Sequence, residues 1–313
     1  MSVPRPPRLA LVALALSALA CRESATPTRV SPGAFRETKI VVMAPSAAET
    51  LVVLGLADQV VGVGDFVTGL PALAGRPRVG GYDAPDVERL LALGTTLYVT
   101  ARAEAGAAAR ARLGALGVDV LALDTSTYAG TLAGIETLGG RVGRLAEARA
   151  LSAAIRQRVE TVRERAQGAP RRRVLCVVGR DPLYAAGPGS HLDELIRVAG
   201  GENVLGDGGA PYVLASLESV LARRPQVIVD LADNSPGALR GARVGPWSRW
   251  PLVPAVRERR VYLVDPTRLA IPGPRLGEMA ELLARLVQPE RFGVASEEEM
   301  CSAEASPAPG GGS

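Results

Sequence analysis

Two glutamates stand at the same place in two similar stretches of the chain, DVERLLALGTTLYVT at 86–100 and SLESVLARRPQVIVD at 216–230. Glu88 and Glu218 lie 218 − 88 = 130 residues apart. Each follows by two a good helix cap, Asp86 or Ser216, which puts it near the second helical position. A carboxylate there gains about 0.3–1 kcal/mol from the helix dipole. That gain accounts for one glutamate in one helix, and duplicated lobes would duplicate it. The other reading is a functional role for the pair. Repetition at equivalent places weakens the first reading without removing it.

Little else in the chain suits covalent chemistry. His191 is the single histidine, which argues against a bare transition-metal site built from several histidines and carboxylates. Its setting, GPGSHLD, is a helix start and not a nucleophile elbow. The glycines of VGVGDFVTG miss the GxGxxG spacing of a dinucleotide site, and no paired carboxylates form an obvious catalytic arrangement. The four aromatics Phe66, Tyr82, Tyr184 and Tyr212 fall in loops between strands and helices. Aromatics are only 4% of the chain, so four in such loops are informative as a set, against the plainer reading of rings packed on their own lobe. Arg268, in DPTRLAIPGPR, is a weaker candidate for a polar cleft contact. The net charge of +4 comes almost wholly from arginine, Lys39 being the one lysine. No basic stripe interleaves with aromatics, so nucleic acid is not an expected partner.

These residues need elements to hold them. KIVVMAP at 39–45 reads as a buried strand and 46–57 as a helix capped by Ser46; short strands follow at 59–63, 97–100 and 118–124. From Thr131 to Gln167 the chain reads as helix, with Gly139 and Gly140 as the candidate interruption. Strand RVLCVVG then restarts the alternation, and a helix capped by Ser190 follows it. After that come the second glutamate helix, strands QVIVDLA and RRVYLVD, and a final helix RLGEMAELLARLV. The fold class is therefore α/β: two lobes, each a parallel sheet covered by helices, joined by one long backbone helix. The expected boundaries are an N-terminal lobe at 39–140, the backbone helix at 141–168, a C-terminal lobe at 172–292 and a disordered tail at 293–313.

The first residues read as a targeting segment. MSVPRPPR is cationic, LALVALALSALA is apolar over 12 residues, and Cys21 follows small residues. Twelve residues fall short of the roughly 20 that cross a bilayer as a helix. The segment 1–21 resembles a bacterial lipoprotein signal with Cys21 as the acylated residue; a plain secretory signal is the alternative. Residues 22–38 then serve as a tether. Cys176 belongs to a buried strand and Cys301 to the tail, so no disulfide framework is expected.

Taken together, IVVMAPSAAETLVVLGLADQVVGVGDF, RVGGYDAPDVERLLALGTTLYVT, AGGENVL, SLESVLARRPQVIVD and PGPR resemble the periplasmic substrate-binding proteins of ABC importers that have a rigid helical backbone. Vitamin B12-, iron-siderophore- and haem-binding proteins make up this family, and the spacing is most similar to the vitamin B12-binding member. The resemblance implies that no enzyme is at hand. It implies that Glu88 and Glu218 meet arginines on the two subunits of a permease dimer, and that aromatic or polar side chains at Phe66, Tyr82, Tyr184, Tyr212 and Arg268 line the cleft. It further implies no cofactor, a corrinoid, ferric siderophore or haem as ligand, and a monomer lipid-anchored outside the cytoplasm. An exported enzyme on the same scaffold, or a lipoprotein acting only as a partner surface, are the alternatives from other classes.

Overall fold

The computed structural model describes residues 38–101, 106–232 and 245–301. The signal segment with Cys21, nearly all of the tether, and residues 302–313 lie outside the described residues. Strands β1 (Ile40–Val42), β2 (Val60–Val63), β3 (Leu97–Ala101) and β4 (Asp119–Leu123) form the first sheet in the order β2-β1-β3-β4, all parallel. Ile40, Val41 and Val42 are fully buried, as a central strand covered on both faces requires. Helices α1 (Pro45–Val53), α2 (Val87–Ala92), α3 (Ala107–Ala115) and α4 (Tyr128–Arg141) alternate with these strands. Ser46 does not cap α1. Pro45 opens that helix at its first position, where a missing N–H costs nothing, and Ser46 lies buried inside it.

Helix α5 (Leu145–Ala166) has 22 residues, about 33 Å at 1.5 Å per residue. Its buried stripe, Ala148, Ser152, Ile155, Val159, Val162 and Ala166, alternates steps of four and three. The break between α4 and α5 falls at Val142–Arg144, with Gly143 at φ +73°, and not at Gly139 or Gly140. Gly139 has a different task. A Cβ there would overlap the Ala148 methyl and stand 2.9 Å from the Arg144 carbonyl oxygen, so its smallness lets α4 and α5 touch.

The second sheet is centred on β5 (Arg172–Arg180). Strand β6 (Leu183–Ala186) returns antiparallel to it, followed by α6 (His191–Val198), β7 (Gly201–Asn203), β8 (Tyr212–Leu214), α7 (Leu217–Arg223), β9 (Val227–Asp230), α8 (Pro254–Arg257) and β10 (Val261–Leu263). Strands β5, β7, β9 and β10 are parallel, as expected. The arm β6–β8 is antiparallel and corrects the expectation of a purely parallel sheet. Only Asp181 and Pro182 join β5 to β6, far too few residues for a parallel crossover. Helices α9 (Pro266–Leu269), α10 (Leu276–Val287), α11 (Pro289–Phe292) and α12 (Glu297–Met300) follow among the described residues. The tail is ordered further than expected. Ser296 and Glu299 form a capping box on α12, the Met300 carbonyl accepts from the Asp265 N–H, and Arg285 pairs with Glu299.

One apolar cluster runs from the first sheet (Val42, Leu97, Leu121) through α5 (Ile155, Val159) to the second lobe (Val174, Leu195, Leu283). Polar bonds cross the same seam. Arg275 forks onto Glu49 of α1 at 2.7 and 3.1 Å, and the His191 N–H reaches the Ser126 carbonyl at 3.1 Å.

Candidate ligand cleft and docking carboxylates

Both glutamates sit where cap chemistry places them. Asp86 accepts from the Arg89 N–H at 2.9 Å and opens α2; Ser216 accepts from the Ser219 N–H at 3.1 Å and opens α7. Glu88 and Glu218 are each the second residue of their helix, and both are exposed. The fully buried Leu90 and Val220 fix the roll of the two helices. Among the described residues no cation pairs with either glutamate. The Glu218 carboxyl is held below its usual range by its own backbone N–H and then by the Ser216 hydroxyl.

The aromatics form two groups, one in each lobe. Phe66 and Tyr82 stack at 5.5 Å between ring centres with planes 13° apart. Burial pushes the Tyr82 hydroxyl up to about 12, with Tyr98 adding to the effect, so the phenol stays protonated. Tyr184 and Tyr212 lie on the antiparallel arm. Tyr184 is opposite Leu214 and Tyr212 opposite Ala186, which puts Tyr184, Leu214 and Tyr212 on one face. The other face, with Leu183, Ala185 and Val213, packs into the core beside Trp247. Tyr184 and Tyr212 remain about 40% exposed, while on the other face Ala185 is buried and Leu183 and Val213 are half-buried.

Two further candidates take other places. Arg268 donates to the Cys301 carbonyl at 3.1 Å and the Glu298 carbonyl at 2.8 Å, so its guanidinium holds the segment around α12 and does not join the aromatics. His191 is fully buried in the seam, with Nε2 2.9 Å from the Leu269 carbonyl. Burial lowers its pKa, so the ring is neutral and Nε2 carries the donated proton. Cys176 is a buried strand residue as expected, its thiol pushed up to about 12 by burial and then by Asp230.

One polar node escaped the sequence reading. Asp230, at the carboxyl end of β9, is fully buried, with its carboxylate receiving Trp247 Nε1 at 2.7 Å and the Ala232 N–H at 2.9 Å. Arg180, at the carboxyl end of β5, lies 3.2 Å from the same carboxylate. Carboxyl ends of parallel strands are where α/β sheets present side chains to ligands. The available signal was an acid and an arginine closing two apolar strand runs. A cavity of about 660 Å³ elsewhere on the second lobe is lined by Arg171, Arg173, Arg197 and Arg223 with Asp193, Glu202 and Asp207; it touches none of the aromatics. Its Arg197 and Arg223 already pair with Asp193 and Asp207. No group of three or more His, Cys, Asp or Glu able to hold a metal ion occurs among the described residues.

Residues 40–267 match the family model for periplasmic binding proteins. The chain belongs to this family. Its members are binding proteins and not enzymes. This periplasmic binding protein is 28% identical over 261 residues to the uncharacterized ABC transporter substrate-binding lipoprotein YvrC of Bacillus subtilis, covering 81% of each chain. It is 26% identical over 191 residues to the vitamin B12-binding protein of Yersinia pestis, covering 61% of this chain and 68% of that one. Among solved structures, the periplasmic haem-binding protein BhuT in complex with two haems is 28% identical with a TM-score of 0.68, covering 79% of this chain and 97% of that one. The two-lobed architecture joined by a long helix is thus the family's own.

Proposed function

We propose that this chain is the substrate-binding component of an ABC importer, tethered to the membrane through Cys21, and that it captures a metal chelate between its lobes. The observation that carries the reading is the matched carboxylate pair. Glu88 and Glu218 hold the same helical position in two lobes, both exposed and without a counter-ion among the described residues. Two such groups suit a two-fold partner, one per subunit, through charge-assisted bonds to arginine. Phe66, Tyr82, Tyr184 and Tyr212 form the cleft walls in this reading, and flat aromatic walls suit a flat macrocycle. A corrinoid is the favoured ligand, supported by the vitamin B12-binding relatives. Haem or a ferric siderophore is the second reading, supported by the haem-bound relative.

Calorimetric titration of protein lacking residues 1–21 with cyanocobalamin, haemin and ferric siderophores separates these ligands. Heat from none of them would overturn the chelate reading. Glu88→Ala with Glu218→Ala should lower uptake in cells while leaving the titration unchanged; normal uptake in that double variant would overturn the docking assignment.

A further inference from the structure

The two glutamate helices match at more than their carboxylates. Leu91 and Leu221 are also 221 − 91 = 130 residues apart. Each follows its glutamate by three, which puts carboxylate and leucine on one helical face. Leu91 is 39% exposed and Leu221 38%. A single leucine at that exposure says nothing, because scattered apolar side chains are ordinary surface. Here the same residue recurs at the same offset from a glutamate without a counter-ion among the described residues, with nearly equal exposure, in both lobes. Neighbouring positions have diverged, with Arg89 against Ser219 between the two matched residues and Leu93 against Arg223 just beyond them.

We propose that Glu88 with Leu91, and Glu218 with Leu221, are two equivalent two-point contacts for a two-fold symmetric permease. Each subunit of that partner offers an arginine and, about one helical turn away, an apolar hollow that takes the leucine. The proposal rests on the docking reading above. Charge complementarity selects the cation, since two carboxylates without counter-ions among the described residues need two positive groups at matching places. The leucine adds what an exposed ion pair lacks. Exposed pairs contribute little because water screens them, whereas an adjoining apolar contact excludes that water and prolongs the complex. The carboxylate then governs encounter and register, and the leucine governs residence time.

The test places a photo-cross-linking amino acid singly at positions 88, 91, 218 and 221 of the full chain in cells carrying its own importer. Leu116, 53% exposed at the end of α3, is the control position. Positions 91 and 221 should each cross-link to one multi-spanning membrane subunit, identified by mass spectrometry, and position 116 should not. Leu91→Ser with Leu221→Ser should also leave the purified importer at least 10-fold faster than the unaltered chain, with thermal unfolding and cyanocobalamin titration unchanged. Cross-links from 88 and 218 but not from 91 and 221 would sink the leucine contact and leave the docking reading standing. No cross-link from any of the four positions would sink both.

Discussion

Glu49 and Arg275 offer the sharpest perturbation of the lobe seam. They lie 226 residues apart and join α1 to the start of α10 through two bonds, at 2.7 and 3.1 Å. Their side chains are 11% and 28% exposed, so the pair is neither a solvated surface bridge nor a fully dry one. Exposed pairs contribute about 0.2–1 kcal/mol, and breaking a buried pair by removing one partner costs about 3–5 kcal/mol. A pair of intermediate burial with two-point geometry should show a coupling of about 2 kcal/mol in a double-mutant cycle. Arg275 also donates to the Thr267 carbonyl at 2.8 Å, and the cycle cancels that bond because it is lost in both arms that lack the arginine. Glu49→Ala, Arg275→Ala and the double variant would be unfolded in urea, with fluorescence and circular dichroism required to coincide. Each single variant should also melt about 4–8 °C lower, at roughly 2–4 °C per kcal/mol for a domain of this size. A coupling below about 0.5 kcal/mol would show that the two residues act independently and that this ion pair does not hold the lobes together.

Further expectations concern packing and pH. Gly139→Ala should cost about 1–3 kcal/mol by overpacking, because the new methyl overlaps Ala148; an unchanged melting temperature would show that α4 and α5 can part cheaply. Arg172 hydrogen-bonds to Glu290 at 2.7 and 2.8 Å and draws its carboxyl from 4.5 down to about 2. A lowered acid contributes stability above its unfolded pKa and loses it as pH falls, so Glu290→Gln should flatten the stability curve between pH 4.5 and about 2. The buried Cys176 thiol carries the opposite sign. Its contribution is complete below about 9 and is lost as pH rises toward about 12. Native protein at pH 8 should therefore take up iodoacetamide at Cys301 and not at Cys176, as peptide mapping would show.

What the sequence disclosed was local. Asp86, Ser216 and Ser190 cap helices through bonds spanning three residues, so their positions, and those of Glu88 and Glu218, followed from residue type alone. Tertiary causes were not visible in the same way. Gly139 looked like a helix break, yet its smallness serves Ala148 on the next helix. The β6–β8 arm reads as loop because each strand is only three or four residues long and takes its partner from elsewhere in the chain. Arg268 stands in a stretch that the family resemblance puts at the cleft, but carbonyls at Glu298 and Cys301 employ it instead. Composition alone makes the tail look unstructured, but a capping box and the Asp265 N–H hold residues as far as Met300.

The buried cluster that threads the long helix into both sheets has a consequence for how the molecule comes apart. Beside that shared cluster each half keeps a smaller core of its own, with Val41, Met43 and Leu90 in the first and Leu175, Ile228 and Trp247 in the second. Helix α5 joins the halves by packing on α4 with one flank and on α6 and α10 with the other. Melting should accordingly be a single event in calorimetry, with no plateau in which one half survives its twin. A protease nick at residues 142–144 should leave the fragments clasped together until denaturant frees them, and neither fragment expressed alone should stay in solution.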